Sequence, residues 1–464
     1  MTHLTELDAF ELTLRYGDGS LSPVEVAHAA IARREAHERT INAFCWHDDA
    51  AALASAEASE ARWRSGSPIG SVDGVPVTIK DNLMVKGWPI RRGSIVSSPA
   101  VAEEDSPVAA RLREAGAVIL GKTTMPEYGW KGTSDSPFSG ITRNPWNNAM
   151  TTGGSSAGAA ATGALGVGCL HFGTDGAGSV RIPAAFTGLV GFKPTFGRVP
   201  AWPASTMGVL AHIGPLTRSV REAALAMNII ARPDHRDMMA SLADATNYLA
   251  GVDGGVKGLR IAYSPKLGLD VAVDPDVAEL AEHAALCLEG LGARVDRVDP
   301  GFPDPIEPLM VLWRAGAALA LRPVSAEDRA RMDPGLVGIA QQGEKLSASD
   351  YIDALLYQRN ALAMTMARFH QRYDLLLTPT MPLPAFEAGR LTPAHGGYGD
   401  IWTNWSPFTY PFNLTQQPAI SIPSGLTRMG LPAGLQIIGA FGADCLVLKA
   451  AAAFEAASPF ARLS

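Results

Sequence analysis

Apolar positions along the chain recur with two periods, and the change from one to the other marks its elements. A spacing near 3.6 residues runs from residue 23 to 38 behind Ser22-Pro23-Val24-Glu25, a capping box with proline at the first helical position. It predicts a helix, and the alanine-rich stretch 47–64 predicts a second. The run VPVTIK at 75–80 then reads as a strand, 107–115 as a helix and 117–120 as a buried strand. Further strands are expected at 259–263, 293–298, 375–378, 420–422 and 435–438. Further helices are expected at 275–291, 348–372 and 443–456. Such alternation predicts an α/β fold, a large sheet covered by helices. Residues 259–298 read as a βαβ-like unit, and 234–257, the least constrained stretch, as a loop or an insertion. There is no internal repeat or low-complexity linker, and a length of 464 residues allows about three domains or one large α/β domain with insertions.

Composition changes this picture little. The chain is 47% hydrophobic and 18% charged, with a net charge of −7 and no basic cluster beyond the isolated pairs Arg33-Arg34 and Arg91-Arg92. This excludes a broad nucleic-acid surface. Cys45, Cys169, Cys287 and Cys445 are too scattered for a metal site or a disulfide framework. The opening MTHLTELDAF has neither the basic nor the apolar region of a signal peptide, and a cytoplasmic location is expected. Residues 149–174 contain no Asp, Glu, Lys or Arg, yet they are built from Gly, Ala, Ser and Thr and are too weakly hydrophobic for a membrane span.

Two motifs mislead. Residues 116–123, GAVILGKT, fit GxxxxGK(S/T), but their variable positions are themselves the expected strand and Pro126 spoils the helix a phosphate loop requires. Residues 154–158, GSSAG, fit GxSxG, but no hydrophobic strand precedes them. A histidine-based esterase triad of Ser156, Asp374 and His395 can still be written in the right chain order. The informative serines are Ser155, after two glycines at the start of a helix of small residues, and Ser179, after the glycine-rich GTDGAG. Backbone N–H groups gathered at such a turn suit an oxyanion hole. No histidine lies in these motifs. Lys80 ends an apolar strand: burial there would lower its pKa and let it act as a base, and the alternatives are a snorkelling lysine or a partner for Asp81.

These segments resemble the three motifs of the amidase signature family. DGVPVTIKDN at 73–82 is similar to the family's lysine strand, GGSS at 153–156 to its first serine motif and GTDGAGSVRIP at 173–183 to its second. The spacings of 75 and 24 residues fit. AGAVILGKT at 115–123, TRNPW at 142–146, GLVGFKPT at 188–195 and GLQIIG at 434–439 extend the likeness over most of the chain. The resemblance implies one domain with a large mixed, twisted sheet between helices. Its helical N-terminal part would run to about residue 66, its catalytic core from about 67 to 225 and a more variable region from about 226 to 350. It implies Ser179 as nucleophile forming an acyl-enzyme, Ser155 on a cis peptide as relay, Lys80 as base, and the N–H groups of Gly176, Ala177, Gly178 and Ser179 as oxyanion hole. No metal or organic cofactor is implied. Ala177 stands where the family usually has glycine, and keeps its N–H available only if its φ is not strongly positive. Ala157 likewise replaces a glycine. Asp175 and Arg181 are expected to be structural.

The substrate is expected to be a small-molecule amide or hydrazide, with small aryl or acyl compounds favoured over glutamine and a bacterial hydrazidase as the nearest subgroup. Tyr128, Trp130, Trp313 and Trp405, with Phe138 and Trp402, are candidate pocket residues. The competing reading is the glutaminase subunit of a tRNA amidotransferase, which needs a partner. Neither nucleic acid nor membrane is expected as a partner, and a homodimer is left open.

Overall fold

The computed structural model describes residues 4–98, 100–241 and 246–463. Among them one sheet has eleven strands: β1 (Phe44–His47), β2 (Pro76–Lys80), β3 (Val118–Thr123), β4 (Leu170–Asp175), β5 (Val190–Lys193), β6 (His212–Thr217), β7 (Arg260–Tyr263), β8 (Arg294–Arg297), β9 (Leu375–Pro379), β10 (Ala419–Leu426) and β11 (Pro432–Gly439). Their spatial order is β1-β3-β2-β4-β6-β5-β10-β11-β9-β7-β8. β2 runs parallel to both β3 and β4, β7 parallel to β8 and β9, and every other pair is antiparallel. Every residue of β2, β3, β6, β9 and β11 is buried, so helices cover both faces of the sheet.

Local signals set the elements. Ser22 caps Pro23–Ile41 and Glu25 bonds back to the cap, as the box predicts. The expected helix 348–372 is interrupted, with a wide turn at Asp353–Gln358 between Ala348–Ile352 and Arg359–Phe369. The charge-free stretch contains Ala157–Leu165, a helix buried at every position except Ala164. A side chain at Gly158 would collide with the Ala43 carbonyl, so small residues let this helix lie directly on the sheet. Of the loosely constrained 234–257, residues 242–245 lie outside the described residues. No helix among those described is long and apolar enough to cross a membrane.

The apolar interior falls into two large clusters. One gathers the central strands, with Val77, Ile79, Phe172 and Ile437. The other gathers Trp130, Leu312, Trp313, Trp402 and Trp405 around the helices Ile306–Leu321 and Pro334–Gly343.

Phe172 is wholly buried in β4. Phe172→Ala is expected to cost about 3–5 kcal/mol, read as a lowered urea midpoint; a loss below about 1 kcal/mol would mean the sheet interior collapses around the gap.

Candidate active site

Parallel strands carry ligands at their carboxyl ends, and the candidate residues gather there. β2 ends at Lys80, which is wholly buried, and β4 beside it ends at Thr174 and Asp175 before the turn to Ser179. Ser155 and Ser156 enter from the loop ahead of Ala157–Leu165. Lys80 Nζ donates to Ser155 Oγ at 2.7 Å, Ser156 Oγ at 3.1 Å and Thr174 Oγ1 at 2.9 Å. The Gly154–Ser155 peptide is cis. The Ser156 N–H donates to the Ser179 carbonyl at 3.1 Å, tying the two serine loops together.

No carboxylate hydrogen-bonds to Lys80 among the described residues. Burial pushes its pKa down to about 7, against the opposing charges of Asp175 and Asp81. Both acids are engaged elsewhere. Asp81 meets Lys122 Nζ at 3.2 Å and accepts the Arg91 and Gly93 N–H groups. Asp175 meets Arg181 through two bonds of 3.0 Å, both side chains wholly buried. Arg181 also donates to the Thr409 carbonyl, Gln436 Oε1 and Asn413 Oδ1. Burial opposes the Asp175 charge, but the Arg181 charge and hydrogen bonds, with those of Asn413, outweigh it and hold the carboxyl below its usual range.

The turn after β4 also sorts the expected anion donors. The Gly178 N–H donates to Asp175 Oδ1 at 2.7 Å and is therefore not free. The N–H groups of Gly176, Ala177 and Ser179 have no acceptor among the described residues. Ala177 avoids positive φ, the condition on which its N–H depends. Gly178 takes φ +123° instead, where a side chain would strike Thr409.

Ser155 and Ser179 face one cavity of about 750 Å³. Tyr128 and Trp313 line it; Trp130 and Trp405 do not. Trp130 is 3% exposed and lies under Lys131, and its carbonyl accepts the Trp313 indole N–H at 3.2 Å. Trp405 stacks on Phe186 and meets Phe386 edge-on. Burial favours wide aromatic surfaces, so these rings form a second layer behind the wall. Trp402 belongs to that layer, 5.8 Å from Trp313, and Phe138 lies elsewhere against Arg91. Trp202, Arg92 and Arg322 on the wall, and Thr174 beside Lys80, were missed. Only Thr174 had a signal, its place in GTDGAGS.

The esterase triad does not assemble. Ser156 bonds to Lys80 and the Thr174 carbonyl, Asp374 pairs with Arg260, and His395 is an exposed loop residue. No histidine among the described residues hydrogen-bonds to Ser155, Ser156 or Ser179. Within residues 116–123 the segment Val118–Thr123 forms β3, not a phosphate loop, and Lys122 there donates to the Pro89 carbonyl at 2.8 Å.

The model of the family described as Amidase matches residues 25–448. An acylamidase of Rhodococcus erythropolis is 37% identical over 98% of this chain and 96% of its own. One subunit of the glutamyl-tRNA(Gln) amidotransferase of Myxococcus xanthus is 34% identical over 99% of each chain. Among solved structures, a bacterial aryl acylamidase of the amidase signature family superposes with a TM-score of 0.90 at 33% identity, covering 98% of this chain and 96% of that one. A 6-aminohexanoate cyclic dimer hydrolase superposes at 0.89 and 29% identity, covering 99% and 98%.

Arg181→Met leaves the Asp175 carboxylate buried without its partner. It is expected to cost about 3–5 kcal/mol in stability and to abolish turnover, with Arg181→Lys rescuing only part of both because one ammonium cannot reach all four acceptors. Unfolding in urea measures the first effect. A loss under about 1 kcal/mol would show that the turn holds without the pair.

Proposed function

The chain belongs to the amidase signature family and is an enzyme of C–N acyl bonds, and we propose that Lys80, Ser155 and Ser179 do its chemistry. The observation that carries this reading is the Lys80 amine, buried without an ion-pair partner among the described residues and 2.7 Å from Ser155 Oγ. A lysine neutral near pH 7 accepts a proton that an ordinary ammonium would not. Ser179 Oγ attacks the acyl carbon, its proton passing to Ser155 as the Ser155 proton passes to Lys80. The tetrahedral oxyanion is held by the free N–H groups of Gly176, Ala177 and Ser179. The C–N bond breaks as the leaving nitrogen takes a proton back along the relay. Water then attacks the Ser179 ester by the same path, releasing the acid.

The substrate class is small aryl or acyl amides and hydrazides, supported by the acylamidase relatives and by Tyr128 and Trp313 on the cavity wall. The alternative, a glutaminase subunit, draws on amidotransferase relatives matched over the full chain; turnover of glutamine only with a co-purifying protein would select it. We take the chain as a single domain, which the continuous eleven-stranded sheet supports, with a homodimer as an open assembly. The four cysteines, none in a disulfide among the described residues, support a cytoplasmic location.

A panel of benzamides, benzoyl hydrazides, short fatty amides, glutamine and matching esters tests the reading. Ser179→Ala is expected to lose at least ~10⁴-fold in kcat, far more than Ser156→Ala; the reverse order would refute the assignment. The pH dependence carries a sign. Lys80 serves as base only when deprotonated, so kcat/KM should rise through an apparent pKa of about 7 and level off above it. A flat profile from about pH 6 to 10, with chemistry rate-limiting, would exclude it as the base.

A further inference from the structure

The cavity carries two cations that the proton relay does not use. Arg92 is half-buried in its wall, and Arg322 stands exposed at the rim, where helix Ile306–Leu321 ends. Neither guanidinium has a hydrogen-bond or ion-pair partner among the described residues. The lining's one acid, Asp175, is engaged by Arg181, and its one histidine, His212, is held neutral by burial and the nearby Lys193. The free charge of the wall is therefore positive, on a chain whose net charge is −7. Such a contrast focuses anions into the cavity.

Arg92 is also held in place by a built turn. Asp81 accepts the N–H groups on either side of it, from Arg91 at 3.2 Å and Gly93 at 2.9 Å, and is itself anchored by Lys122. The Arg92 carbonyl accepts the Tyr128 N–H at 2.7 Å. Arg92 and Tyr128 both adopt left-handed backbone, at φ 52° and 51°. Two long side chains take that conformation only where their surroundings over-determine it. Both line the cavity, so the shared turn serves the site.

We propose that Arg92, with Arg322 at the rim, recognises a carboxylate carried by the substrate away from its scissile carbonyl. The preferred substrates are then amides bearing a carboxylate rather than neutral ones. A planar guanidinium matches a carboxylate through two parallel hydrogen bonds. The inference deepens the amidase reading and rests on it for the meaning of the site, but its test does not require turnover.

Ser179→Ala protein is titrated calorimetrically with 4-acetamidobenzoate and with its neutral analogue 4-methylacetanilide. The acid should bind at least ~10-fold more tightly, about the gain of one charge-assisted hydrogen bond. Added Arg92→Gln should remove most of that preference, Arg92→Lys should restore part of it, and Arg322→Gln should reduce it without touching the inner turn. Salt at about 0.5 M should weaken the acid selectively. Equal binding of the two compounds, or a preference that survives in the Arg92→Gln, Arg322→Gln double variant, would overturn the proposal. Hydrolysis of both by the otherwise unaltered enzyme is read separately. Charge-selective binding with no cleavage of any amide would refute the amidase reading and leave the carboxylate site standing.

Discussion

The buried ion pair between Asp175 and Arg181 fixes everything around the nucleophilic turn. Two charges out of water are costly unless each hydrogen-bonding position finds a partner. Here the carboxylate takes Arg181, Asn413 and the Gly178 N–H, while Arg181 also reaches the Thr409 carbonyl and Gln436. One pair thus joins the end of β4 to residues from the distant C-terminal third of the chain. The turn is held by its carboxylate at one end and its guanidinium at the other. Ser179 lies between them, its own N–H without an acceptor among the described residues.

Lys80 is built on the opposite rule. It too is withdrawn from water, yet it is offered hydroxyl groups rather than a carboxylate. An ion pair would have kept its proton on. Asp81, the next residue, is turned away and spent on Lys122 and on a neighbouring turn. Two adjacent residues at a strand end therefore serve two faces, the lysine toward the serines and the aspartate toward the wall. The alternating directions of a β-strand supply that separation without further machinery.

Much of this was legible in the sequence. The capping box at Ser22 and Glu25, the lysine closing an apolar strand and the run of small residues around Ser155 each have one local cause, and each local cause was sufficient. What escaped depended on distance. Trp130 and Trp405 are indistinguishable from Tyr128 and Trp313 by residue type, because an aromatic ring satisfies a core as well as a cavity wall. The commitment of the Gly178 N–H was a local event, an aspartate accepting from three residues on, but it becomes visible only once Arg181 has fixed the rotation of that carboxylate. The break at Asp353–Gln358 left no trace in the apolar spacing. In the sequence Arg92 is only half of an isolated basic pair, because its setting is made by Asp81 and Tyr128, residues outside its own segment.

The two apolar clusters give the molecule a division of labour. The strand that presents Lys80 is packed by Val77 and Ile79 in one, while Trp313, which lines the cavity, is packed with Leu312 in the other. Replacements that reshape the second cluster alter the room available to a ligand while leaving the first intact. Over evolutionary time such a scaffold can exchange the compounds it accepts one residue at a time, without passing through an inert ancestor.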